Sequence, residues 1–353
     1  MSRLIHTGII GFGLSGKVFH APFIHSHPSF HLATVVERNH QISKEIYPYV
    51  SVVNNYIDLL KDDSIELIIV ATPNTSHYPM AKECLMAGKH VVIEKPFTPS
   101  SDEADELIRL SENTGKHVFV FQNRRWDGDF LTIRKLVEEN RLGDIDYYEA
   151  HFDRFSPELK PNAWRDINIP GGGILYDLGA HLIDQSLVLF GMPEALRADI
   201  KSERPGSTVD DYFKLELLYP DKEVVLKAGM MVKKLGPRYV IEGSEATFTK
   251  FGIDPQEASL KNGEMPGTEN WGEDKAEFFG KIDYYKEEAQ MTKTINTEKG
   301  NYMAFYDNVC EVLTKNMPLL VSPKDARDVI FIIEKAFESH RKKQLIKINS
   351  TPS

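Results

Sequence analysis

Gly11-Phe12-Gly13-Leu14-Ser15-Gly16 decides the fold of this chain. The run follows the apolar segment Ile5–Ile10 and opens a helical stretch, the context in which G-x-G-x-x-G carries meaning. Gly11 allows a tight turn, Gly13 lets a pyrophosphate approach the backbone, and Gly16 lets helix and strand pack closely. The helix N-terminus behind Phe12, Leu14 and Ser15 offers amides and a partial positive charge to phosphate. A glycine-rich turn without a ligand would carry the same letters. Here Glu37 ends the second apolar run, close to the ~20-residue spacing expected of a ribose-binding acid. The pattern therefore predicts a dinucleotide site.

Outward from the loop, the apolar runs Ile5–Ile10, Leu32–Val36, Ile65–Ala71, His90–Ile93 and His117–Phe121 are rich in Val and Ile. They are apolar on both faces, as parallel strands under helices should be. Tyr78–Ala87 and Ala104–Ser111 between them have helical spacing, with Gly88 and Gly115 placed as left-handed caps. Strand and helix alternating in this way predict an α/β fold opening with a doubly wound parallel sheet, a Rossmann domain over residues 1–123. After that the rhythm changes. Leu131–Glu139 and Gly179–Leu189 read as helices, and Tyr212–Tyr219, Glu223–Gly229 and Tyr239–Glu242 as strands. Asp254–Lys286 is polar and reads as a loop-rich excursion, whereas Asn301–Thr314 and Lys324–His340 read as helices, with Pro323 at a first helical position. Residues 124–353 are thus expected to form an α+β domain with a mostly antiparallel sheet.

A chain of 353 residues suits two domains at roughly 100–200 residues each. Its net charge of −10 argues against nucleic-acid or anionic-membrane partners, which demand a basic face. Cys84 and Cys310, outside any C-x-x-C pair, support neither a disulfide framework nor a thiolate zinc site. No signal segment precedes the first strand, and no apolar run reaches the ~18 residues of a membrane span, so the expected location is the cytoplasm.

Ligands of a doubly wound sheet sit beyond the carboxyl ends of its strands. After the second strand come Glu37, suited to a ribose hydroxyl, and Arg38, suited to a 2′-phosphate or to stacking on adenine. Later strands are followed by Thr72-Pro73-Asn74-Thr75-Ser76-His77, by Glu94-Lys95-Pro96 and by Gln122-Asn123-Arg124-Arg125-Trp126. Asn74 or Thr75 is expected to cap the next helix. Lys95, confined between an apolar strand and a proline, is a candidate acid or alkoxide-stabilising group. Further on, Asp177 and His181 stand four apart on one helical face, with Asp184 a turn beyond. A histidine beside a carboxylate suits a general base held in one tautomer; a structural hydrogen bond or a metal pair are the other readings, the latter lacking a third ligand. A nucleophile triad is excluded by the absence of G-x-S-x-G.

Together, the fingerprint, Glu94-Lys95-Pro96 and Gly172-Gly173-x₃-Asp177-x-Gly179-x-His181 resemble the Gfo/Idh/MocA oxidoreductase family over nearly the whole chain. The stretches Gln122–Thr132, Trp164-Arg165, Tyr176–Gly179 and Phe251–Glu257 look most like its NADP-linked scyllo-inositol dehydrogenase branch. The resemblance implies that Lys95 hydrogen-bonds the reacting oxygen, His181 accepts the proton and Asp177 orients or assists them. It places Thr72, Pro73, Asn74 and His77 along the nicotinamide ribose with Glu94 and Gln122 nearby. Asn123, Arg125, Trp164 and Arg165 become candidate contacts to a small polyhydroxylated substrate. It also implies homodimers, or larger homo-oligomers, through the C-terminal sheets. One departure is Glu37, where the branch typically has a small hydroxylated residue before its arginine. The expectation is an NAD(P)-dependent dehydrogenase of a sugar or cyclitol alcohol, leaning to NADP over NAD and needing no metal. A glycosidase with transient redox and a non-catalytic cofactor-binding regulator are the alternatives.

Overall fold

In a computed structural model describing residues 3–160 and 166–348, Ile5–Ile10 forms β1. The strands β2 (Phe30–Val36), β3 (Ser51–Val53), β4 (Leu67–Val70), β5 (His90–Ile93) and β6 (Val118–Val120) join it in a six-stranded sheet. Its order is β3-β2-β1-β4-β5-β6 and every pairing is parallel. This is the doubly wound arrangement, whose order reverses beside β1 and β4 and opens a crevice there. β4 is buried at all four positions, which is why the sequence there is a continuous apolar run.

The helices α1 (Ala21–Ser26), α2 (Ile42–Ile46), α3 (Ile57–Lys61), α4 (His77–Met86) and α5 (Ser101–Thr114) link these strands. The Ser100 hydroxyl accepts from the Glu103 amide to start α5, and Gly115, at φ +65°, ends it. The cap position of α4 is Ser76, not Asn74 or Thr75, because a short tight turn over Asn74–Ser76 precedes that helix.

The chain divides into two compact units, and the division is not a single cut. The first holds the chain up to Asn123 together with Gln256–Trp271 and Asn301–Ile330; the second holds Arg124–Pro255, Gly272–Gly300 and the chain from Phe331. The sequence alone predicts one boundary, with everything after residue 123 in the second domain. The later segments belong with the first because of their aromatic residues. Tyr306, on α9 (Met303–Lys315; α8 is Gln256–Lys261), stacks on Phe23 with centroids 5.9 Å apart, and Phe305 meets Phe121 edge-on at 4.9 Å. Arg327, on the long helix that begins at Pro323, grips Asp105 of α5 through two hydrogen bonds of 3.0 and 3.2 Å.

The second unit is built on a nine-stranded sheet, with β7 (Ile145–His151) at its centre, flanked by β10 (Glu223–Gly229) and β11 (Tyr239–Gly243). β9 (Tyr212–Leu218), β8 (Ala195–Lys201) and β15 (Ile346–Lys347) extend one side; β12 (Thr247–Lys250), β13 (Gly280–Lys286) and β14 (Ala289–Ile295) extend the other. Among its described strands only β7 and β10 pair in parallel. Phe213, Leu215 and Leu217 alternate inward along β9, with one face buried as antiparallel sheets allow. The helices α6 (Gly128–Glu138) and α7 (Ala180–Phe190) belong to this unit. Asp254–Lys286, read as loop, instead contains α8 and the whole of β13. That strand buries only Gly280 and Ile282, so its sequence lacks an apolar run. Among the described residues no helix is long and apolar enough to cross a membrane.

Candidate active site

The glycine fingerprint of the first unit is shaped by three different constraints. Gly11 has φ +94°, and a Cβ there would lie 2.8 Å from the Ala71 carbonyl oxygen. A Cβ on Gly16 would lie 2.1 Å from the Gly11 carbonyl oxygen, an impossible contact, whereas one on Gly13 would meet nothing. Gly11 and Gly16 thus close the turn, and Gly13 leaves its outer face open. Phe12 is buried and Leu14 exposed. The helix then starts with an over-wide, π-type turn, Gly16–His20, before α1.

The end of β5 brings Glu94 and Lys95 together with Ser15 of this loop. Glu94, 8% exposed at the end of β5, accepts from the Ser15 hydroxyl and, at 2.9 Å, from the Lys95 amide. His20, fully buried, places Nε2 3.0 Å from the same carboxylate. Burial alone would raise the Glu94 pKa; the hydrogen bonds from His20 and the Ser15 hydroxyl, with the Lys95 charge, outweigh it and hold the carboxyl below its usual range. Lys95 is half-buried and precedes Pro96 through a cis peptide bond. His77 spans two loops, with Nε2 2.9 Å from the Thr72 carbonyl oxygen and Nδ1 2.9 Å from that of Pro96. Burial keeps its pKa below the ordinary histidine value despite both carbonyls. Asn74, three residues earlier, is buried, and Pro73 is exposed.

Glu37 is committed elsewhere. Its carboxylate accepts from the amides of Ile42 and Ser43, at 3.0 and 2.9 Å, and from the Ser43 hydroxyl. It therefore ties down the start of α2, while Arg38 is exposed. A dinucleotide fits these residues: the open face at Gly13 would admit phosphate, and Gln122, buried at the end of β6, has an Oε1 without a hydrogen-bond partner among the described residues.

In the second unit, Asp177 lies within a second π-type turn, Leu175–Gly179, and His181 opens α7 directly after it. Both are buried, and the Asp177 amide donates to the Gly173 carbonyl at 3.1 Å. Asp177 lines a small cleft with Arg154, Asp166, Ile174, Leu178, Arg204, Asp210 and Met230. Arg204 is bound there by Asp166 at 2.6 Å and Asp211 at 3.0 Å. Asp210 accepts from the Leu175 amide at 2.8 Å, and its main-chain carbonyl accepts from Ile174 at 3.0 Å. Burial pushes the Asp210 carboxyl up to about 6, against its backbone hydrogen bonds and with the help of Asp211. Arg125 is locked by Asp184 in a buried two-point pair of 2.9 and 2.7 Å, and Asn123 is buried two residues before it. Trp164 and Arg165 lie outside the described residues.

Known proteins match both halves. Residues 5–122 match the Gfo/Idh/MocA description "Oxidoreductase family, NAD-binding Rossmann fold", and residues 134–348 match "Oxidoreductase family, C-terminal alpha/beta domain". The chain belongs to the Gfo/Idh/MocA oxidoreductase family. Among curated members, it is 41% identical to the uncharacterized oxidoreductase YdgJ of Escherichia coli, over 96% of this chain and 97% of that one. It is 39% identical to scyllo-inositol 2-dehydrogenase (NADP(+)) IolW of Bacillus subtilis, over 98% and 96%. The solved structure of yvaA from Bacillus subtilis superposes with TM-score 0.95 at 38% identity, covering 99% of both chains.

For this Gfo/Idh/MocA oxidoreductase, sequence reasoning missed His20, Tyr306 and Asp210. His20 stands four residues after the last fingerprint glycine, a buried position on the wide turn, but its partners Glu94 and Tyr306 are distant in sequence. Asp210 carried one signal: two adjacent acids, Asp210 and Asp211, at the entry to a strand.

Proposed function

We propose that this oxidoreductase moves a hydride between the nicotinamide of NADP and a secondary alcohol of a sugar or cyclitol, with scyllo-inositol as the first compound to try. The observation that carries the reading is Asp177, four residues before His181, in the wall of a small cleft where Arg154, Asp166, Arg204 and Asp210 stand among the apolar Ile174, Leu178 and Met230. Such a lining suits hydroxyl groups, which need both acceptors and donors. The similarity to scyllo-inositol 2-dehydrogenase (NADP(+)) IolW supports the same substrate class.

When bound, NADP supplies the hydride chemistry. The chain supplies position and charge. Lys95 hydrogen-bonds the reacting oxygen and stabilises negative charge developing there as the alcohol is oxidised. His181 takes the hydroxyl proton, and Asp177 holds the imidazole in the accepting tautomer. Support for NADP over NAD comes from Glu37: its carboxylate is engaged by three donors of α2, while Arg38 is exposed to meet a 2′-phosphate.

The test is a screen of inositols and aldoses with both cofactors, following nicotinamide absorbance. Lys95→Ala should abolish turnover and leave cofactor binding nearly intact, and His181→Ala should lower the rate by about 10²–10⁴. Near-full activity in either variant overturns the assignment. Release of an aglycone without net NADPH would favour the transient-redox glycosidase instead. A wild-type kcat/KM preference for NAD of about tenfold, roughly 1.4 kcal/mol, overturns the choice of NADP.

A further inference from the structure

The Glu94 carboxylate is engaged on both oxygens. One oxygen takes the Ser15 hydroxyl and faces His20 Nε2 at 3.0 Å; the other takes the Lys95 amide at 2.9 Å. Behind it, His20 Nδ1 lies 2.5 Å from the Tyr306 hydroxyl, and both rings are fully buried. A carboxylate can only accept, so Nε2 carries the proton. Burial pushes the Tyr306 phenol far above its usual pKa, keeping its proton in place to be donated to Nδ1. The hydrogen bonds thus run in one direction, from Tyr306 through His20 to Glu94. Phe121, 4.6 Å from the imidazole between centroids, closes the apolar side.

We propose that His20 is a positioning residue: braced by Tyr306, it aims Glu94 so that one carboxylate holds both the glycine loop at Ser15 and the backbone of Lys95. The two parts of the nucleotide end of this sheet, phosphate loop and lysine, are then set by a single buried acid. The Lys95 half rests on the catalytic reading above; the Ser15 half stands without it. Cutting the chain of donors at His20 leaves Glu94 buried without its principal partner, and a buried charge in that position withdraws or takes a proton. The other groups facing it are Ser15 from the loop, Lys95 next along the chain and His77 from α4.

The test compares His20→Phe, which keeps the ring volume against Phe121, with His20→Gln, whose carboxamide can still donate to Glu94. His20→Phe should weaken NADPH binding by about tenfold, the effect of losing one buried charged hydrogen bond, and His20→Gln should recover most of it. NADPH affinity is read by fluorescence titration, apart from turnover. The ligand-free protein provides a second readout. In the wild type, Glu94 titrates below its unfolded value, so the stability it lends is present at neutral pH and is lost only in acid. In His20→Phe its pKa rises above the unfolded value, so stability falls as pH rises through the new value. The gap in thermal midpoint between the two proteins should therefore widen from pH 5 to pH 8. A gap constant with pH, with NADPH affinity unchanged, overturns the proposal and leaves His20 a packing residue. Weakened NADPH binding in His20→Phe alongside a fully active Lys95→Ala would overturn the catalytic role of Lys95 and keep the bracing of the loop. An inactive Lys95→Ala with no effect at His20 would do the reverse.

Discussion

Two helices of this protein begin with the same irregularity, a π-type turn, one at Gly16–His20 and the other at Leu175–Gly179. Such turns cluster at functional sites because they carry a residue out of the helical register. The two are built differently. At the first, backbone meets backbone: a Cβ on Gly16 would strike the carbonyl of Gly11, five residues earlier. At the second, backbone meets a side chain from far along the chain: a Cβ on Gly173, at φ +90°, would sit 2.0 Å from the Asp210 carboxylate. The first is a closed local device that six letters announce. The second exists only once a distant strand delivers its acid.

Alanine at each glycine should separate the two. Gly16→Ala must displace a main-chain carbonyl, so NADPH binding should be lost and stability should fall by roughly 1–3 kcal/mol, as in overpacked cores. Gly173→Ala meets the end of a side chain as well as a strained backbone, so it should lower turnover while leaving NADPH affinity unchanged. Equal loss of NADPH affinity in both variants would erase the contrast. The check is a fluorescence titration with thermal melts.

A smaller effect is expected at Asp210. Its carboxyl, held at about 6 by burial, is raised above its unfolded value, so the wild type loses stability as pH rises through that point. Asp210→Asn keeps an acceptor for the Leu175 amide and cannot ionise. Its thermal midpoint should gain on the wild type between pH 5 and pH 8; a gain that shrinks over that range would show that the charged form is the one the site favours. The smallest effect is expected at Glu37. Glu37→Ser removes the acceptor of two amides and a hydroxyl in α2, costing about 0.5–2 kcal/mol by chemical denaturation. It should move the NADP to NAD ratio of kcat/KM less than Arg38→Ala does.

The same distinction explains what could be read from the sequence. β1, β5 and β10 were legible to the residue because each is an apolar or β-branched run with clear turn punctuation. β13 and β14 were not: they form an edge hairpin in which β14 has no buried residue, so solvent leaves no periodic mark. β8 was missed because Arg197, Asp199 and Lys201 interrupt it at alternate positions. Of the residues proposed for catalysis, Lys95, Asp177 and His181 stand out by residue type and spacing. The engagement of Glu37 with α2 did not, since an acid after the second strand has the same letter whichever way it turns. The partnership of Ser15 with Glu94 spans 79 residues, and no local pattern records it.

The three-part composition of the first unit has a consequence for how the protein is made. When residue 123 leaves the ribosome, all six strands of the parallel sheet exist, yet His20 still lacks Tyr306, 286 positions ahead, and Phe23 lacks Trp271 and Tyr302 as well. Those rings emerge only after most of the second unit has been synthesised. The nascent sheet must therefore wait, with an aromatic face uncovered, for nearly the whole chain. The dinucleotide-binding unit starts first and finishes almost last, and a truncated chain ending at residue 123 should be sticky rather than a free-standing nucleotide binder.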